Sequence, residues 1–336
     1  MELVMIFDMR APAFGAPRSE VFAAALDIAA WADEIGFDVL GLGEHHGADD
    51  GYNPSPLVLG SAFAARTRRI HLRTAVLLAS CYDPVRLAED TAVLQILANG
   101  RFELGLGFGY RRSEFAMYGR RVEDRFAHTC RVAELLKQAW SGEPFEYEGR
   151  PCQVQPVPET PIPLLLGANA PAVARAAARI ADGFLVPLQS PGVWQPYRDE
   201  CLKLGKPDPG EYPRQGPTFL WVSEDPERDW EWLTPHIVHV LESYARWTES
   251  AYGKPTGVYA GGVTAATIRA SGKYRVLTPE QAVTLIGELG DHSSLYLTPL
   301  MGGADPRRAW KMLQLWEREV QPHVPRGSVP SWRHTH

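Results

Sequence analysis

The chain has 336 residues, 45% of them hydrophobic and 22% charged, with a net charge of −6. This is the composition of a globular protein; it excludes the basic footprint of nucleic-acid binding and any polybasic segment for anionic lipid. The four cysteines, Cys81, Cys130, Cys152 and Cys201, are far apart and form no C-x-x-C pair, which argues against a zinc ribbon and a disulfide-stapled secreted domain.

The N-terminus, MELVMIFDMR, lacks the charged start and long apolar run of a signal peptide. No apolar stretch is long enough to span a bilayer, so a cytoplasmic protein with no membrane partner is expected. LVMIF (3–7) reads as a strand. Ser19 is expected to cap a helix that runs through Ile35 and stops at Gly36. VLGLGE (39–44) is the second strand, followed by a helix over 56–66. IHLRTAVLL (70–78) is the third strand. Asp83-Pro84 then supplies the N-cap and first turn of VRLAEDTAVLQIL. FELGLG (102–107) is the fourth strand, with helix reaching Trp140.

FEYEGRPCQV (145–154) reads as a small hairpin around Glu148-Gly149. Further strands are expected at 163–167, 184–187, 218–223 and 294–299, with helices at 171–181, 226–252 and 306–319. Eight strands alternating with helices imply parallel pairing and an α/β fold, a closed (β/α)8 TIM barrel with insertions. One domain over 1–322 is the economical organisation, with insertions near 141–162, 188–217 and 253–277. The last insertion, rich in Gly and small residues, reads as mobile and close to a site. Residues 323–336 read as a flexible tail. An open doubly wound sheet would carry G-x-G-x-x-G after the first strand. DMRAPAFG stands there instead, and GLGFGYRR (105–112) has the wrong spacing.

GLGEHHGADDGYNPSP (41–56) ends an apolar run with a carboxylate and two histidines. Alternation along a strand puts Gly41, Gly43 and His45 on one face and Glu44 and His46 on the other. The glycines leave volume below His45 for a flat ligand at the strand's C-terminal end, where barrel sites lie. A hydrogen-bonded rim histidine is the plainer alternative. Adjacent histidines on a strand diverge, and there is no H-x-H or H-E-x-x-H, so no metal is expected and a metal hydrolase ranks last. Gly105, Gly107 and Gly109 alternate in the fourth strand and precede Tyr110, again baring one face. Thr74 and Ala75 are small residues in mid-strand. Gly167, Ala168, Asn169 and Ala170 lead into a helix with Pro171 in its first turn, where free N–H groups suit a phosphate and Asn169 either caps the helix or donates to the anion.

These motifs resemble the bacterial luciferase-like flavin-dependent monooxygenases: GFDVLGLGEHH (36–46), RTAVLLASCYDPVRLAEDTAVLQILANGRFELGLGFGY (73–110), LGANAPAVARAAARIADG (166–183) and VSEDPERDWEWL (222–233). The likeness is specific over 1–185 and looser beyond. It implies a (β/α)8 barrel and a two-component enzyme. Reduced FMN from a separate flavin reductase would activate O2 as a C4a-(hydro)peroxide and oxygenate a small apolar or aromatic substrate. It makes His45 the active-site histidine, supported by Glu44 and His46. It matches Ala75 and Val76 to a non-proline cis peptide behind the flavin ring and Asn169 to a phosphate contact. The cofactor-binding set is therefore Gly43, Ala75, Val76, Gly107, Gly109, Tyr110, Gly167, Ala168, Asn169 and Ala170. Gly107 stands where luciferases have a reactive cysteine, and Phe108 where an arginine reaches the phosphate. The resemblance also implies a homodimer through the helices after strands two and three. A deazaflavin-dependent oxidoreductase working by hydride transfer is the alternative; such members tend to carry an acid-His pair in place of E-H-H. A non-catalytic flavin-binding protein is the third possibility.

Overall fold

The computed structural model describes residues 1–167, 169–186, 190–256, 260 and 262–325. The first half of the chain runs β1 (Glu2–Phe7), α1 (Arg18–Ile35), β2 (Val39–Leu42), α2 (Pro56–Arg66), β3 (His71–Thr74), β4 (Leu77–Leu78), α3 (Pro84–Leu97), β5 (Phe102–Gly107), α4 (Arg112–Met117) and α5 (Arg125–Ala139). It continues through β6 (Phe145–Tyr147), β7 (Arg150–Cys152), β8 (Leu164–Gly167), α6 (Pro171–Ile180), β9 (Gly183–Leu185), α7 (Trp194–Lys203) and β10 (Arg214–Gln215). The rest is β11 (Phe219–Val222), α8 (Pro226–Tyr252), α9 (Ala265–Ala270), β12 (Tyr274–Leu277), α10 (Pro279–Leu289), β13 (Ser293–Leu297) and α11 (Pro306–Glu319). Each of the eight expected strands is present, and the fold is α/β with parallel pairing around its main strands. Among the described residues no helix is long and apolar enough to cross a membrane.

The chain forms two compact units. One contains Met1–Gly41, His46–Pro54 and, among the described residues, 213–325. In it β13 pairs in parallel with β1 and β10, and β1 neighbours β2. Val21, Ala25, Ile28 and Ala32 bury one stripe of α1, following the helical repeat. Trp31 Nε1 donates to Glu317 at 2.8 Å, tying α1 to α11. The N-cap of α1 is Pro17, with no side-chain cap bond, rather than the expected Ser19. Proline suits that place because its missing N–H is not needed at a helix start. Gly36 ends the helix at φ 94°, as expected of a left-handed C-cap.

The stretch 253–277 contains more order than its small residues suggested, although 257–259 and 261 lie outside the described residues. Thr264 and Thr267 close a capping box on α9, and β12 pairs with β11 from Phe219↔Tyr274 to Val222↔Leu277. A second capping box, Thr278 with Gln281, starts α10, a helix absent from the expectation.

The other unit contains Leu42–His45 and Ser55–Tyr212. Its strands run β3-β5-β8-β9, with β4 also paired to β5. Every residue of β5 and β8 is buried, which explains the unbroken apolar run of β8 and why Glu103, the one charge in β5, is paired. Arg73 and Glu103 face each other in register, and Arg73 Nε donates to Glu103 at 2.6 Å. The expected third strand is interrupted: the peptide between Ala75 and Val76 is cis and separates β3 from β4. The hairpin β6–β7 turns at Glu148 (φ 50°) and Gly149 (φ 73°), the left-handed pair that a tight hairpin requires. Asp83 caps α3 by accepting from the N–H groups of Val85 and Arg86 at 2.9 and 3.1 Å.

Candidate active site

In the second unit, the residues after β2 bring two carboxylates and a histidine into a buried cluster. Glu44 is 3% exposed, His45 8% and Glu114 1%. His45 Nδ1 lies 2.8 Å from Glu114 Oε1, and Arg111 Nη1 donates to that same oxygen at 3.0 Å. An ionised carboxylate only accepts, so opposite an ionised Glu114 it is Nδ1 that donates. Arg111 and Glu114 meet because they are three apart at the start of α4. Tyr110 packs edge-on to His45, with ring centroids 5.9 Å apart.

Glu44 serves a different purpose. It accepts from the Tyr82 hydroxyl at 2.6 Å and from the Leu78 backbone N–H, tying the end of β2 to β4 and the turn beyond it. Burial pushes the Tyr82 phenol and the Cys81 thiol well up, and the negative charge of Glu44 adds to both. Glu114 raises Cys81 further. Both side chains therefore stay protonated.

Gly41, Gly105 and Gly107 do not leave the empty slot expected of them. A Cβ on Gly41 would strike Ile6. One on Gly105 would strike the Thr74 carbonyl and lie 2.5 Å from Leu185 Cδ1. One on Gly107 would strike Val76 Cγ2, and one on Gly167 would come within 2.7 Å of Val76 Cγ1. The freed volume is thus filled from across the sheet, and the Val76 side chain uses the space at two of these glycines. Gly109 has φ 63°, a left-handed turn that explains its glycine without any ligand. Against these buried strands, Ala75 is exposed and Val76 half-buried. The accessible apolar surface is the Ala75–Val76 step and not the glycine face.

At the start of α6, Asn169 is exposed and makes no hydrogen bond among the described residues. Ala170 is the N-cap, so Asn169 does not cap this helix, and Pro171 occupies the first turn. Gly167 ends β8, and Ala168 lies outside the described residues. Gly43 is buried. Phe108 is buried and stacks on Phe126 at 5.5 Å, so an apolar pair stands where an arginine was the reference. Of the three expected catalytic residues, Glu44 and His45 belong to this unit and His46, 5% exposed, to the other.

The sequence reading missed Glu114, Arg111 and Tyr82. The available signal was the i, i+3 pair in YRRSEF, which by itself looks like ordinary acid and base placement at a helix start. It also missed a buried cluster in the first unit. Arg10 is fully buried, and its Nη1 donates to Asp50. Its guanidinium carbon lies 4.8, 5.2 and 4.9 Å from the rings of Tyr52, Tyr244 and Trp247. His239 Nε2 is 2.7 Å from Asp50, and Asp8 accepts from the Gly302 N–H at 3.1 Å.

A sequence model of the luciferase-like monooxygenases matches residues 1–273. The chain belongs to the luciferase-like monooxygenase family. It is 30% identical to an F420-dependent glucose-6-phosphate dehydrogenase of Amycolatopsis mediterranei over 172 residues, 48% of this chain and 52% of that protein. The chain thus spans about half the length of these curated relatives. The Rhodococcus erythropolis protein of the same name is 27% identical over 96% of this chain and 98% of its own. Among solved structures, the monooxygenase RslO1 from Streptomyces bottropensis superposes with a TM-score of 0.76 at 24% identity, covering 96% of this chain and 99% of that one. That likeness speaks for the fold alone.

Proposed function

We propose that this member of the family is a deazaflavin-dependent oxidoreductase that moves a hydride between a small hydroxyl compound and its cofactor. This reverses the order of the two readings drawn from the sequence motifs, which placed reduced FMN and O2 first. The observation that carries it is the buried His45–Glu114 pair. Dehydrogenation of an alcohol needs a base to take the hydroxyl proton as hydride leaves carbon. We assign His45 the role of that base, with Glu114, held by Arg111, stabilising the imidazolium that results. The chain keeps Glu44-His45-His46 where such members tend to carry an acid–histidine pair, and the carboxylate that meets His45 is Glu114. The names of the curated relatives support the same choice.

The residues present fit such a cofactor. The Ala75–Val76 step offers a small apolar surface within reach of solvent, and the start of α6, with no side-chain cap, keeps backbone donors for a phosphate. When bound, the deazaflavin ring supplies the hydride acceptor. In this reading Glu44 positions Tyr82 and β4 rather than touching substrate.

The reading keeps the single (β/α)8 barrel domain as its architecture and a homodimer as its assembly. Glu44-His45-His46 favours a second reading, the FMNH2-dependent monooxygenase with a separate reductase and a small apolar or aromatic substrate. Anaerobic titrations with oxidised deazaflavin and with FMNH2 separate the two. Deazaflavin binding, followed by bleaching of its absorbance on adding small alcohols, is the expected result. Tight FMNH2 binding with a long-lived oxygen adduct and no deazaflavin binding would overturn it.

A further inference from the structure

The first unit contains a cavity of about 510 Å³ between the end of β11 with the start of α8 on one side and α11 on the other. Four cations line it, Arg228, Arg308, Lys311 and Arg318, against two carboxylates, Glu224 and Asp229. The carboxylates are already engaged. Asp229 accepts from Ser223 Oγ at 2.6 Å and lies 3.5 Å from Arg228, and Glu224 lies 3.7 Å from Arg318. Arg308 and Lys311 have no carboxylate partner among the described residues. They are three residues apart on α11, so one helix face presents both to the cavity.

One further feature suits a ligand. The Arg308 guanidinium carbon lies 4.5 Å above the Trp232 ring. Stacking holds the planar group and leaves its N–H fork to meet an anion. Trp221 also lines the cavity and is 2% exposed, an apolar wall for the site. Gln314 adds an exposed amide at the rim.

We propose that this cavity binds a small phosphorylated anion with at least two negative charges. Its volume falls in the range of small-molecule sites, and the excess of two cations sets the charge it accepts. The site is independent of the proposed activity, since no residue of the His45 cluster takes part.

Calorimetric titration of the full chain with inorganic pyrophosphate at fixed ionic strength tests it. Saturable binding is expected, weakened at least tenfold in the double variant Arg308→Ala/Lys311→Ala, whose changes are at exposed positions. Asn169→Asp, which places a negative charge at the other anion-compatible position, should leave the affinity unchanged. Absence of saturable binding, or a double variant that binds as the parent does, would overturn the proposal. So would loss of binding in Asn169→Asp with the double variant unaffected, because the anion would then belong at the start of α6.

Discussion

His45 Nδ1 lies 2.8 Å from Glu114 Oε1, a contact that closes 69 residues of chain and sets which ring nitrogen can take a proton. His45→Ala should leave the fold intact and lower turnover by about 10²–10⁴-fold, the usual worth of a positioned base. Glu114→Gln keeps the shape but not the charge, and about a tenfold loss in kcat with little change in KM is expected. The two changes together should cost no more than His45→Ala alone, because Glu114 acts through the histidine. Steady-state kinetics of the three variants across pH check this; additive losses would mean that Glu114 has a separate role.

Val76 occupies the space that Gly107 and Gly167 leave. Gly107→Ala should therefore destabilise by about 1–3 kcal/mol through overpacking. Adding Val76→Ala should restore much of that loss, since the obstacle is a side chain. Gly105→Ala meets the Thr74 carbonyl, which is backbone, so no side-chain change should rescue it. Denaturant melts of the single and paired variants distinguish these cases.

Asp50 holds both Arg10 and His239. Burial alone would raise its carboxyl, but the Arg10 charge and hydrogen bonds from His239, Arg10 and the Tyr52 N–H hold it below the ordinary value of 3.8. A depressed folded-state pKa gives stability that is present above the unfolded value and lost as pH falls through the folded one. Asp50→Asn should cost about 3–5 kcal/mol at neutral pH, because it leaves the buried Arg10 charge without its anion. The gap between parent and variant should narrow as pH drops below 3.8. Asp8 has the opposite sign: burial outweighs Arg10 and raises its carboxyl, so its charged form disfavours folding above the ordinary value. Asp8→Asn should cost less than Asp50→Asn at neutral pH, which thermal melts at several pH values would show.

Val58 on α2 and Val93, Ile96 and Leu97 on α3 are exposed, and Val58 is 73% exposed. If these helices join two copies, Leu97→Glu should convert a dimer to a monomer in sedimentation without changing the melting temperature of the isolated chain by much. A parent that sediments as a monomer, or a variant that stays dimeric, would remove this face from consideration.

Local chemistry was readable from the chain alone. The eight strands, the Asp83 cap, the Gly36 stop and the Glu148-Gly149 turn each follow from periodicity or from the φ preferences of a few neighbouring residues. The resemblance also anticipated the cis peptide at Ala75–Val76. The placement of His45 at the end of a buried strand was legible for the same reason. What fills the glycine face was not, because a missing Cβ records that something comes close without saying whether it is a ligand, Val76 or the Thr74 carbonyl. Nor was Glu114 legible as the partner of His45, or Asp50 as the partner of Arg10. Those pairings depend on which helix start or loop the tertiary fold brings against a strand end, and a buried charge takes its meaning only from the neighbour that replaces water.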